Sequence, residues 1–223
     1  MLKAVLFDMD GVLIDSELHW QPAQEELLDG LGLDWDTLDY KSTLGLSLRD
    51  LYDTLCTKYS LSISRELFNE LYDGVAKKIY AEKSSIIKGF FEFASDLKDN
   101  GVKIALVSSS PHRWIEIVIK RFSLEKTFDT IISSDDVGGE GKPSPKIYTY
   151  TAEKIGVMPN ECIVIEDSYN GVLSAKRANM YSIGFRNGFN DNQDLSPAHN
   201  EIIGFASVSY KQLSIIFNNH FNK

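Results

Sequence analysis

Cysteine is nearly missing from this chain: two residues among 223, Cys56 and Cys162. Neither follows a metal-ligand spacing and both sit among apolar neighbours, so they read as packed free thiols rather than a disulfide framework. Long hydrophobic runs are also missing. No stretch approaches the roughly 18 consecutive apolar residues of a membrane span, and the start, MLKAVLFDMDG, carries no extended apolar leader. The expectation is a soluble cytoplasmic protein with no membrane partner. Basic residues are outnumbered, 23 Lys and Arg against 32 Asp and Glu, for a formal charge of −9. That balance argues against nucleic acid as a partner, since phosphate backbones are held by clustered cations. It leaves room for a small anionic substrate, because a local site can be positive on a negative protein. There is no internal repeat and no low-complexity tract.

Apolar residues make up 43% of the chain, enough for a substantial core. Five short apolar runs bounded by turn residues read as strands: KAVLF 3–7, KIALVS 103–108, TIIS 130–133, CIVIE 162–166 and YSIGF 181–185. Helical patterns separate the later ones, at 110–122, 144–155 and 170–179. Alternation of this kind predicts an α/β fold, a parallel sheet with helices on both faces. The interval after the first strand breaks the rhythm. LHWQPAQEELLDGLG, SLRDLYDTLCTKYS and SRELFNELYDGVAKKIYAEK repeat apolar residues at three- and four-residue spacing, and Ser64 offers an N-cap. A helical insertion at 16–84 therefore interrupts a core made of 1–15 and 85–223. The tail 184–205 reads as a loop and then a helix, followed by a short strand at ASVS, 206–209.

Acids stand where these strands end. Asp8 closes the first, Ser108 the second, and Glu166 with Asp167 the fourth, while Lys142 precedes a helix just after the third. In open α/β sheets ligands bind outside the carboxyl ends of the strands, so separate segments deliver polar groups to one edge. Asp8, Asp10 and Asp167 are hard oxygen donors suited to Mg²⁺. Lys142 and the Ser108 hydroxyl add donors for phosphoryl oxygens. Asp8 and Asp10 lie two apart on one turn, so one can attack phosphorus while the other handles the leaving-group proton. Taken singly, each of these is more ordinary: an Asp or Ser at a strand end is usually a cap, and a loop Lys is usually solvated. The joint pattern outweighs those readings. GGEGKPS is not a phosphate-binding P-loop, because Pro143 follows Lys142 where Ser or Thr is needed. His19, His112, His199 and His220 show no ligand spacing, and His112, at a helix start beside the SSS run, is the one placed near the site.

With these residues in place the chain resembles the haloacid dehalogenase superfamily, in the branch of β-phosphoglucomutase and small sugar-phosphate phosphatases. DMDGVLIDS is similar to the family's opening motif, ALVSSS to its second, GKPSPKIY to its third and VIEDSYNGV to its fourth. The resemblance covers nearly the whole chain. It implies a Rossmann-like parallel-sheet core with helices on both faces plus an inserted α-helical cap domain. It implies Asp8 as the nucleophile forming an aspartyl-phosphate, and Asp10 as the acid and later the base. Ser108 and Lys142 would hold the phosphoryl group. Asp8, the backbone carbonyl of Asp10 and Asp167 would bind Mg²⁺, with Glu166 as a direct or outer ligand.

The insertion decides between hydrolase and mutase. Where mutase-like sequences carry a histidine after the D-[ST] element, DSELHWQPA places Trp20. TLGLSLRDL is similar to the mutase G-x-S-R loop, with Leu48 intervening between Ser47 and Arg49, and Pro111-His112 replaces a lysine after the second motif. The expectation is a Mg²⁺-dependent phosphatase acting on a small phosphorylated metabolite, a sugar phosphate, as a monomer. Trp20, Arg49, Ser109, Ser110 and His112 are the candidate substrate contacts. A phosphosugar mutase and a non-catalytic metabolite-binding protein are the alternatives.

Overall fold

The computed structural model describes residues 1–39 and 43–221. Elements follow in the order β1 (Ala4–Phe7), α1 (Glu17–Gly30), α2 (Leu48–Tyr59), α3 (Arg65–Lys78), α4 (Phe90–Asp99), β2 (Lys103–Ser108), α5 (His112–Phe122), β3 (Thr130–Ser133), α6 (Lys146–Ile155), β4 (Cys162–Glu166), α7 (Tyr169–Arg177), β5 (Tyr181–Arg186), β6 (Asn200–Ile203) and α8 (Tyr210–Phe221). The strands form one parallel sheet in the order β3-β2-β1-β4-β5-β6. Chain order reverses direction between β1 and β4, which makes their carboxyl ends the switch point where a crevice opens.

The expected α/β architecture is the observed one, for a reason visible in the strands. Both faces of each inner strand are dry, so each reads as a continuous apolar run. Val5, Phe7, Ile104, Leu106, Ile163 and Ile165 face α4, α5 and α8, where Phe90, Phe93, Val118 and Phe217 complete the core. Ala4, Leu6, Ala105, Val107 and Val164 face Ile147, Tyr148 and Ala175 of α6 and α7. Register places Phe7 beside Leu106 on one side and Ile165 on the other, so the residues that follow them emerge together.

Between β1 and β2 the chain is helical, as its periodicity predicts. Ser64 caps α3 by accepting from Leu67 N at 3.2 Å, and Ser47 caps α2 by accepting from Asp50 N at 3.1 Å. A five-residue π-helical turn, Ile79–Lys83, follows α3 and carries Tyr80 back toward the sheet edge. Among the described residues no helix is long and apolar enough to cross a membrane. Cys56 and Cys162 are free thiols.

The tail corrects the reading of the sequence. NEII, placed in the expected helix, pairs with β5 as the sixth strand, its side chains mostly exposed. Polar residues at a sheet edge hide the strand signal and also protect the edge. The expected ASVS strand does not form: Phe205–Ser207 make a 3₁₀ turn, and the chain then enters α8, a further helix beyond those expected.

Candidate active site

Asp8 leaves β1 directly after Phe7, and its carboxylate is buried. Lys142 arrives from the segment before α6 and is 1% exposed, which demands partners for its charge. It finds two: Asp8 Oδ1 at 2.5 Å and Glu166 Oε1 at 2.5 Å. Glu166 ends β4 with no exposure and is held further by the Tyr148 hydroxyl at 2.5 Å and the Ser168 hydroxyl at 3.3 Å. Burial pushes the lysine down, but Asp8 and Glu166 outweigh it and raise its pKa. Asp8 is nonetheless pushed up to about 8, by burial first and by Glu166 next, against the pull of Lys142.

Asp167 joins this group one residue beyond Glu166. Burial raises its carboxyl well above the ordinary range, with Glu17, Asp8 and Glu166 adding to the effect. One carboxylate oxygen from each of Asp8, Glu166 and Asp167 lies within 4.8 Å of the others. Three buried carboxylates against one ammonium leave a deficit of two positive charges. A divalent cation matches that deficit, and hard carboxylate oxygens suit Mg²⁺. The residues present therefore fit such an ion.

Two glycines make the arrangement sterically possible. Gly11 turns at φ +75°, and a Cβ there would meet Asp167 Oδ2 at 1.9 Å. Gly171, in the first turn of α7, would place a Cβ 2.0 Å from the Glu166 carboxyl.

Asp10 stands apart from the lysine. Its carboxylate accepts from Ser16 Oγ at 2.5 Å, Tyr80 Oη at 2.8 Å and Ser110 Oγ at 3.2 Å. Withdrawal from water raises its pKa, and these three hydroxyls oppose the rise. Tyr80 is itself oriented by Trp20, whose indole N–H donates to its oxygen at 3.1 Å.

Most of the residues read from the sequence come together here. Asp8, Asp10, Trp20, Ser108, Ser109, Ser110, Lys142 and Asp167 all line one cavity of about 120 Å³ at the carboxyl edge. Ser108 Oγ accepts from Ser110 N at 3.1 Å, and Ser109 donates to Gly45 O at 2.8 Å. Glu166 lies just behind the wall, gripping Lys142. Two expected contacts fall outside. Arg49 turns away and donates to Gly138 O at 2.8 Å, while its neighbour Leu48 lines the cavity. His112 places Nε2 2.9 Å from Asp136, also outside the lining.

Four further residues serve the site without any pattern in the sequence that marks them: Glu17, Tyr72 and Tyr80 line the cavity, and Tyr148 holds Glu166. An acid in a first helical turn and aromatics at helical spacing look like capping and core. Only the place of Glu17 directly after the opening motif DMDGVLIDS hinted at it.

A family model described as haloacid dehalogenase-like hydrolase matches residues 5–185. Hexitol phosphatase B of Escherichia coli (strain K12) is 34% identical over 184 residues, 82% of each chain. The phosphorylated carbohydrates phosphatase of Thermotoga maritima is 31% identical over 198 residues, 88% of this chain and 91% of that one. Among solved structures, β-phosphoglucomutase from Clostridium difficile superposes over the full length of both chains with a TM-score of 0.82 and 27% identity.

Proposed function

The chain belongs to the haloacid dehalogenase-like hydrolase family, as an enzyme of its phosphoric monoester hydrolase and mutase group, and on that premise we propose that it is a Mg²⁺-dependent phosphatase. Its substrate is a small phosphorylated metabolite, a sugar phosphate, and the reaction passes through an aspartyl-phosphate on Asp8. The observation that carries this reading is the Asp8–Lys142–Glu166 chain at the switch point, with Asp10 on the next turn held by hydroxyls instead of by a cation.

In the first half-reaction Asp8 attacks phosphorus while the P–O bond to the leaving group breaks. Lys142 and the Ser108 hydroxyl bind phosphoryl oxygens and keep them aligned. Asp10, whose raised pKa favours the protonated form, gives its proton to the departing oxygen. In the second half-reaction Asp10 takes a proton from water as that water attacks the aspartyl-phosphate, which frees inorganic phosphate and restores Asp8. Asp8, the Asp10 backbone carbonyl and Asp167 would hold the Mg²⁺, with Glu166 acting from behind through Lys142. The ion, when bound, supplies positive charge at the phosphoryl oxygens. Residues 16–84 serve as a helical cap over a core of 1–15 and 85–223, and both parts wall the cavity. The protein works as a monomer in the cytoplasm, a setting that its two free thiols support.

Hydrolysis is favoured over phosphate migration by the GLSLR loop, which offers Leu48 to the cavity and turns Arg49 outward. The names of the two phosphatase relatives support the same choice. The second reading, a β-phosphoglucomutase-like isomerase, draws on the full-length superposition. Release of p-nitrophenol from p-nitrophenyl phosphate is the first test. It is expected to need Mg²⁺, to stop with EDTA and to be lost in Asp8→Asn. No turnover of any phosphoester in Mg²⁺ overturns the enzyme reading. Conversion of β-glucose 1-phosphate to glucose 6-phosphate, with a bisphosphate primer, overturns the choice of hydrolase.

A further inference from the structure

GGEGK, residues 138–142, carries three glycines in the four positions before Lys142. Glycine loses more conformational freedom on folding than any other residue, so such a tether stays loose unless something outside it holds it. Lys142 is fixed at its far end by Asp8 and Glu166. Its backbone end is fixed from the helical insertion. Arg49 Nη1 donates to Gly138 O at 2.8 Å, and Ser47 Oγ donates to Gly139 O at 2.8 Å. Asp50 Oδ2 accepts from Gly141 N at 2.8 Å. The first turn of α2 thus lies directly on the tether, so closely that a Cβ on Gly141 would meet Ser47 N at 2.5 Å.

An acid at the third position of a helix ordinarily turns back to its own N-cap amide. Asp50 instead reaches across 91 positions to an amide of the core. The Ser47 hydroxyl, 2.8 Å from the same Oδ2, orients it. Gly141 is buried, so loss of this bond would leave an unsatisfied donor one residue before Lys142. We propose that Asp50 is a positioning residue for Lys142. By accepting from Gly141 it fixes the backbone from which the lysine reaches the phosphoryl group, so the phosphoryl site is complete only while α2 is seated on the core. The inference rests on the phosphatase reading and adds to it a residue that touches neither substrate nor metal. It also gives GGEGK a use: the glycines let α2 come close, and α2 supplies the order that the glycines lack.

The test joins kinetics to hydrogen exchange. Asp50→Ala is expected to lower kcat on p-nitrophenyl phosphate by about tenfold or more, with KM changed by less than about threefold. Asp50→Asn keeps an acceptor for Gly141 and should recover most of that loss, because the bond and not the charge does the positioning. Exchange needs no substrate. In the wild-type protein the Gly141 amide should exchange slowly, and in Asp50→Ala the 138–142 segment should exchange about tenfold or more faster while α3 stays protected. Wild-type kcat in Asp50→Ala overturns the inference. So does a loss confined to KM, which would place Asp50 at the substrate, and so does an equal loss in the Asn and Ala variants. A Gly141 amide that exchanges freely in the wild-type protein overturns it even if neither variant folds. Turnover with any of these results sinks the positioning role alone. No turnover of any phosphoester by the wild-type protein sinks the phosphatase reading and the positioning role with it.

Discussion

At the scale of single residues, the Tyr80 hydroxyl has a position that its place in the chain does not suggest. It accepts from the Trp20 indole at 3.1 Å and donates to Asp10 at 2.8 Å, so an aromatic chain from the helical segment orients the acid of the sheet edge. Tyr80→Phe keeps the ring packing and removes that donor. For an alkyl phosphate, whose leaving oxygen needs a proton, kcat should fall by about 10- to 100-fold. For p-nitrophenyl phosphate the first release of p-nitrophenol, seen as a rapid-mixing burst, should be nearly unchanged, because nitrophenolate leaves without protonation. Equal losses on both substrates would mean that Tyr80 supports the fold and not Asp10. The role was not legible in the sequence. KKIYAEK looks like any helix with a buried aromatic, and Asp10 lies 70 positions away.

At the scale of elements, the site depends on how closely α7 approaches the end of β4. Ser168 caps α7 by accepting from Gly171 N at 3.1 Å, which brings that first turn against Glu166. A Cβ at residue 171 would stand 2.0 Å from the Glu166 carboxyl. That carboxyl cannot swing aside cheaply, since it holds Lys142 and Tyr148 at 2.5 Å each. Gly171→Ala is therefore expected to destabilise the protein by about 1–3 kcal/mol and to reduce kcat by displacing Lys142. Thermal melts and steady-state kinetics check both parts, and a variant with wild-type Tm and kcat would show that α7 can retreat at no cost. Element type was readable wherever burial imposed a period. It failed at β6, where four mostly exposed residues are strand only because β5 lies alongside, and at 206–209, where β-branched Val208 has no partner strand to pair with.

At the scale of the whole molecule, the strand order gathers more negative than positive charge at one point. Asp8 is pushed up to about 8 in the folded protein, against an unfolded value of about 3.9. Between those values the folded metal-free state holds a proton that the unfolded state has lost. Stability from this source is complete below about pH 4 and disappears as the pH rises through about 8. Asp167 and Glu17 shift in the same direction. The Tm in EDTA should therefore fall between pH 5 and pH 8. Mg²⁺, which takes the deprotonated ligands, should raise the Tm more at pH 8 than at pH 5. Melting curves at the two pH values, with EDTA and with Mg²⁺, test this. A Tm in EDTA that climbs from pH 5 to pH 8 would contradict it.

The sequence by itself determined the α/β class, five of the six strands, the helical interruption after β1, and the group of Asp8, Asp10, Ser108, Lys142, Glu166 and Asp167. These follow from local rules: dry strands are apolar throughout, helices repeat every three to four residues, and polar groups at strand ends converge once the sheet is parallel. The tertiary structure alone decided which neighbours of that group enter the cavity. Arg49 and His112 face outward, while Glu17, Tyr72 and Tyr80 face in. The physical reason is that a side chain's direction depends on the rotation of its helix and on what packs against it. Neither is written in spacing along one segment. Both come from contacts between residues far apart in the chain, as when Ser47 reaches Gly139 O at 2.8 Å and seats α2 beside the sheet edge.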